Sequence, residues 1–287
     1  MKILIENILA LLPQEAKVCS VAVEDGVITA VGDRPEGFRP DKIINGSGKM
    51  LIPGLINAHT HSYMTIFRNC ADDLKFNDWL FGRILPLEDQ LTEEDCYWGS
   101  LLGIMEMLST GTTSFNDMYI FINAQARAAA ESGIRAVLSR GLTGGKDDPE
   151  GGARRLDEAE REIRAWSGRE NITFMLAPHA PYTCDEDYQR QVAEAARRLD
   201  VPIHTHISES QAEMETIREK YGCTPPELMD RTGLLTDRTV AAHCVYLTDS
   251  DIELFAQRGV SVATNPVSNL KLANGVAPIP KMLRAGV

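Results

Sequence analysis

The sequence predicts an α/β chain: a (β/α) barrel of the TIM type carrying strands one to seven, behind a small N-terminal β module. Three observations predict this. Residues 1–50 hold short β-type runs broken by turn signals. From Leu51 onward, apolar strand-like runs alternate with helical stretches. Five of the six histidines fall at the C-terminal ends of those runs. The domains are therefore read as 1–50, the β module, and 51–287, the barrel.

The elements follow in order. KILIENI, VCSVAVE and VITAVG are strands, and Asp25-Gly26 between the last two is a hairpin signal. The barrel runs are Gly54–Ala58, Thr112–Asp117, Arg135–Arg140, Ile172–Pro178, Pro202–His206, Thr239–His243 and Val260–Thr264. Thr92-x-x-Asp95 has the form of a capping box and starts a long helix before the second run. Further helices are expected over 120–132, 185–199, 210–221 and 248–258. Gly141–Gly152, rich in glycine and acidic residues, reads as a mobile loop. A TIM barrel closes on eight strands, so seven repeats imply either an open sheet or a chain that stops early.

Composition narrows the function classes. There are 29 Lys and Arg against 41 Asp and Glu, a net charge of −12. That argues against nucleic acid or an anionic membrane as the main partner. Six cysteines without C-x-x-C spacing argue against a disulfide framework or a cysteine zinc site. The N-terminus is a poor signal peptide, and no apolar run reaches about 18 residues. A cytoplasmic enzyme is the expectation.

Asn57-Ala-His59-Thr-His61 is the strongest motif. Residues i and i+2 of a strand point the same way, so both imidazoles can reach one metal ion. His206, ending the fifth run, supplies a third. Three protein ligands with a position left for water form a catalytic metal pattern. Glu209, three residues on, is placed to move a proton between bound water and a substrate nitrogen. His243, ending the sixth run, would orient that water. His204 is read as structural or as a partner of the metal site.

Pro53-Gly-Leu-Ile-Asn-Ala-His59-Thr-His61 closely resembles the first-strand motif of the amidohydrolase superfamily. The branch it resembles contains the 5-methylthioadenosine/S-adenosylhomocysteine deaminases, guanine deaminases and triazine chlorohydrolases. His179, and no lysine, ends the fourth run, which speaks for a mononuclear site. The resemblance implies one divalent ion, zinc first, with iron, nickel or manganese as alternatives. It implies that the β module is half of a composite sandwich. It implies that Glu88 accepts from ribose hydroxyls, Trp79 packs near the purine or thioether, Arg140 contacts an amino-acid tail and His179 bonds the purine ring. A second tail-binding arginine is expected near Gly151–Arg155, with neither Arg154 nor Arg155 assigned.

The family's metal-binding aspartate follows the eighth strand, and this reading places it beyond Val287. The function implied is hydrolytic deamination of an adenosine-type nucleoside to the inosine-type product and ammonia. A guanine deaminase or triazine aminohydrolase is the alternative within enzymes. A truncated, inactive chain with exposed sheet edges is the alternative outside them. A small-molecule nucleoside is the expected partner, and a homo-oligomer is left open.

Overall fold

Strands Lys2–Leu11 (β1) and Ala16–Glu24 (β2) pair antiparallel, and a bulge between Ile5 and Ile8, where Asn7 turns to positive φ, shifts their register. Asp25 and Gly26, both at positive φ, make the tight turn into Val27–Gly32 (β3). Lys42–Asn45 (β4) and Met50–Leu51 (β5) then lie parallel to β1. The result is one mixed five-stranded sheet whose small core is Ile8, Ala10, Cys19 and Val21.

The computed structural model describes residues 1–287, which divide into two units, Met1–Leu55 and Ile56–Val287. The junction falls at Leu55 rather than after residue 50 because Met50 and Leu51 are paired with Leu9 and Ala10 of the first unit.

The second unit is a curled parallel sheet with helices between its strands. Leu55–Thr60 (β6), Thr112–Tyr119 (β7) and Arg135–Leu142 (β8) are consecutive neighbours. The fourth run is broken at Met175–Leu176 into Ile172–Phe174 (β9) and Ala177–Pro178 (β10), both on β8. Leu176 bridges to Ile203 and carries the sheet into Ile203–Ile207 (β11), Thr239–His243 (β12) and Ser261–Ala263 (β13). Register brings His206 beside Ala242 and Ile207 beside His243, so both strands end at one level.

Between β6 and β7 the chain makes a 3₁₀ turn at Ser62–Phe67, the short helices Phe76–Trp79 (α1) and Leu85–Glu88 (α2) with a π turn between them, and the long helix Glu93–Ser109 (α3). Thr92 and Asp95 cap α3 reciprocally, as their spacing predicts. The remaining helices are Ile122–Ser132 (α4), Pro149–Trp166 (α5), Glu186–Leu199 (α6), Gln211–Tyr221 (α7), Pro225–Thr232 (α8), Asp249–Arg258 (α9), Pro266–Lys271 (α10) and Ile279–Ala285 (α11). No helix is long and apolar enough to cross a membrane.

The loop expected at Gly141–Gly152 is confined to residues 143–148. Gly141 belongs to β8, while Gly151 and Gly152 lie in the first turn of α5, where Asp148 caps the Gly151 amide. The glycines serve close packing: a Cβ on Gly144 or Gly152 would meet the Tyr188 ring at 2.9 or 3.0 Å. α3 uses the same device against the turn that follows His61. A Cβ on Gly103 would meet the Ser62 carbonyl oxygen at 2.8 Å. Gly103→Ala is therefore expected to destabilise the chain by about 1–3 kcal/mol, the usual cost of overpacking. Urea denaturation reads this directly, and an unchanged midpoint would mean that helix and turn separate freely.

Candidate metal centre

Four imidazoles from three strand ends meet in one place. His59 lies in β6 and His61 just beyond it, His206 in β11 and His243 at the end of β12. Ring centroids of His59 stand 4.9, 4.8 and 5.3 Å from those of His61, His206 and His243. One nitrogen from each of His59, His206 and His243 falls within 4.8 Å of the others. Nε2 of His61 is 3.2 Å from Nε2 of His206.

Hydrogen bonding fixes what these nitrogens are. A neutral imidazole has one N–H. His61 Nδ1 lies 2.6 Å from the Met118 carbonyl, and His206 Nδ1 lies 2.7 Å from the His179 carbonyl. A carbonyl only accepts, so both Nδ1 atoms donate and both Nε2 atoms are bare. His243 Nδ1 lies 2.8 Å from Asn269 Oδ1 and donates likewise. For His59 the chain of donors runs deeper. The Ser139 hydroxyl donates to the Asp117 carbonyl, so Ser139 Oγ accepts from His204 Nδ1. His204 Nε2 then accepts from His59 Nδ1 at 2.8 Å. Four lone pairs are left converging with no proton among them.

Two bare imidazole nitrogens 3.2 Å apart repel unless a cation lies between them. Ligands on one tetrahedral ion with metal–nitrogen bonds near 2.0–2.1 Å stand about 3.3 Å apart. The donor set fits a divalent ion that accepts imidazole, on the strength of this geometry. Burial and the neighbouring imidazoles keep His59 and His206 well below the ordinary imidazole pKa, which holds them neutral and able to bind metal.

Glu209 follows His206 through Ser208, whose φ is +52°. That left-handed residue turns the chain so that the Glu209 carboxyl lies 3.6 Å from His243 Nδ1. Glu213 holds the turn, its two oxygens accepting from the Ser208 and Glu209 amides at 2.8 and 2.9 Å. Burial, then the charge of Glu213, pushes Glu209 up to about 8. A carboxyl group in that state is protonated at neutral pH and can donate.

The remaining predicted residues take different positions. The His179 ring stands edge-on to that of His206 with centroids 4.8 Å apart, its Nδ1 donating to Thr183 Oγ1. Glu88 is half-buried and accepts from the Tyr119 hydroxyl, and the Tyr119 ring stands 5.5 Å from His61. Trp79 lines a cleft with Asn57 and the segment 264–272. Arg140 is engaged elsewhere. Its neighbour Ser139 faces the histidines, and Arg140, on the opposite face of β8, donates to the Ile120 carbonyl and pairs with Glu158 of α5. Neither Arg154 nor Arg155 reaches the histidines: Arg155 donates to the Thr143 carbonyl and pairs with Asp148.

Sequence reasoning missed Asn269, Asn274, Glu213 and Tyr119. Only Glu213 had a signal, in Ser210-x-x-Glu213, a capping-box spacing.

The sequence profile of the amidohydrolase family matches residues 50–287. A "5-methylthioadenosine/S-adenosylhomocysteine deaminase" of Desulforudis audaxviator is 47% identical over 272 residues, 93% of this chain and 63% of its own length. A "5'-deoxyadenosine deaminase" of Methanosarcina mazei is 44% identical over 275 residues, 95% of this chain and 63% of its own. The chain thus spans somewhat less than two thirds of these relatives. An adenosine deaminase from Xanthomonas campestris, solved with bound zinc, superposes with a TM-score of 0.93 at 36% identity, covering 99% of this chain and 67% of that one.

Burial also couples the cluster to acid stability. His179, His204 and His243 are pushed down to about 4, 3 and 4. Below about 6.5 the unfolded chain's imidazoles take up protons while these stay neutral, so the native state binds fewer protons and loses stability as pH falls from about 6.5 towards 4. Glu209 and Glu213, raised to about 8 and 7, act the opposite way above their ordinary 4.5, as do Glu162, raised to about 7, and Glu88 and Asp117, which burial also raises. His204→Gln removes one of these imidazoles, so the thermal midpoint of the metal-free variant is expected to fall less between pH 6.5 and pH 4.5 than that of the wild-type chain. An equal or larger fall would contradict a buried neutral imidazole at that position.

Proposed function

The chain belongs to the amidohydrolase family, and on that premise we propose that it hydrolytically deaminates an adenosine-type nucleoside to the inosine-type product and ammonia. The observation that carries this reading is the convergence of bare imidazole nitrogens beside a carboxyl group that burial keeps protonated. The names of the relatives supply the substrate class: S-adenosylhomocysteine, 5-methylthioadenosine, 5'-deoxyadenosine or adenosine.

In this reading His59, His61 and His206 hold one divalent ion, zinc first. Bound there, the ion supplies Lewis acidity that brings the pKa of a bound water from ~15.7 towards neutrality. Glu209 donates its proton to the ring nitrogen next to the amino-bearing carbon, which makes that carbon electrophilic. Water adds to it through its oxygen, one proton of that water passes to the amino group, and the amino group leaves as ammonia. His243 Nε2, aimed at the imidazole cluster, accepts a hydrogen bond from the attacking water. Glu88, already taking one hydrogen bond from Tyr119, has a second oxygen for a ribose hydroxyl. His179 bounds the site on the β10 side, and Trp79 walls the cleft beside Asn57. A carboxylate-bearing tail would have to draw Arg140 away from Glu158. For the first unit, the exposed residues Val18, Val27, Ile28 and Ile43 support the composite-sandwich reading.

The test is ammonia release from S-adenosylhomocysteine, 5-methylthioadenosine and adenosine, with guanine and a chlorinated triazine as competitors. Release from the last two alone would overturn the substrate class. His206→Ala removes the one imidazole that contacts both His61 and His59, so metal content measured by mass spectrometry should fall to background. Glu209→Gln should keep the metal and lower kcat by ~100-fold or more, the scale of a general acid.

A further inference from the structure

We propose that Asn269 and Asn274 are positioning residues that assign the protons on His243 and Glu209. This rests on the deaminase reading for its kinetic consequences, but not for its geometry. Both asparagines are buried, and both lie on the segment after β13. The Asn269 carbonyl accepts from the Asn274 amide at 2.8 Å, so the pair moves as one piece.

Asn269 Oδ1 accepts from His243 Nδ1 at 2.8 Å. The only other acceptor near that nitrogen is Glu209 Oε1, at 3.6 Å, beyond hydrogen-bond reach. The amide thus settles two matters at once. It fixes His243 with its proton on Nδ1 and its bare Nε2 towards the other imidazoles. It also keeps that N–H from being captured by Glu209, which would turn two separate proton handlers into one ion pair.

Asn274 acts on the other partner. Its Nδ2 donates to Glu209 Oε1 at 3.2 Å. When the Glu209 carboxyl is protonated, the oxygen that accepts this N–H is its carbonyl oxygen, which leaves the proton on Oε2. Oε2 is then the atom that delivers it. Asn269 Nδ2 has no partner in the structure, so an aspartate there gives up no hydrogen bond.

The test combines a spectrum with kinetics on the full chain. With ¹⁵N-histidine labelling, long-range ¹H–¹⁵N correlation reports each imidazole's tautomer, and a His243→Gln spectrum assigns the signal. The wild type should show His243 protonated on Nδ1 with and without zinc. Asn269→Leu should abolish that single tautomer, and Asn269→Asp, which offers the same acceptor, should restore it. In kinetics, Asn269→Leu and Asn274→Asp should each lower kcat by roughly 10–100-fold with KM within about 3-fold and metal content unchanged, the range for partners of a metal site. Asn269→Asp should recover kcat above the leucine variant.

If Asn269→Leu fails to fold, the two isosteric aspartates still decide the matter: a structural role predicts equal effects, and the positioning role predicts loss only at Asn274. Equal effects, or an unchanged His243 tautomer in Asn269→Leu, would overturn the proposal. A chain that deaminates no nucleoside would overturn the deaminase reading and leave the tautomer result standing.

Discussion

A neutral imidazole has one proton, and the site depends on where each of those protons goes. Every one is spent outward, away from the centre of the cluster. Met118 takes the proton of His61, His179 that of His206, Asn269 that of His243 and His204 that of His59. Met118 and His179 belong to the strands next to the donors or to the turn that leaves one, His204 to β11 across the sheet, and Asn269 to α10. Curling the sheet therefore creates the electronic character of the site, because it brings an acceptor behind each ring and leaves a lone pair in front. Rings with the same positions and the opposite tautomer would point four N–H groups at one another and could hold no cation.

The backbone is shaped to the same end. Ser208, His243 and Cys244 have φ of +52°, +71° and +51°, a region that costs residues with side chains about 1–3 kcal/mol each. They lie where β11 and β12 end side by side, and the Ser208 carbonyl accepts from both Val245 and Tyr246. Without that bend Glu209 would continue the alternation of β11 and point away from His206. Glu213 ties the bend down with two charge-assisted hydrogen bonds, and Asn274 meets the carboxyl from the far side. The strained residues are thus held by neighbours that also aim the side chains.

The histidines were legible because strands announce themselves by composition, and because one face of a strand repeats every second residue. His59, His61, His206 and His243 could be placed at the same sheet end with no more than that. Their partners could not. A carbonyl acceptor such as Met118 O has no residue type to betray it, and Asn274 reaches Glu209 across 65 positions of chain. Arg140 shows the limit of the strand rule. Its place at a strand end was readable, but which of Ser139 and Arg140 faces the histidines depends on the register of β8 against β7, where Met118 lies opposite Ser139 and Tyr119 opposite Arg140. Glycines misled for a related reason. Gly151 and Gly152 look like a flexible tract in sequence, whereas Gly151 leaves room for the capping Asp148 carboxylate and Gly152 lets α5 approach Tyr188. The broken fourth strand and the asparagine-bearing segment after β13 depend on tertiary pairing that no local pattern encodes.

The contact between His59 and His204 spans 145 residues, as does that between His61 and His206. Such long-range closure comes late in folding, since the entropy of joining distant segments must be lost before their contacts form. Until then the chain carries two separate half-sites, His59 with His61 and His204 with His206, each a weak two-nitrogen clamp. Metal that meets the nascent chain can bind either clamp, which lessens its preference for the folded state. It can also pair half-sites from two different molecules. The order in which metal and sheet arrive is thus a kinetic choice between a site closed within one chain and a cross-linked aggregate, and refolding in chelator before adding metal selects the first.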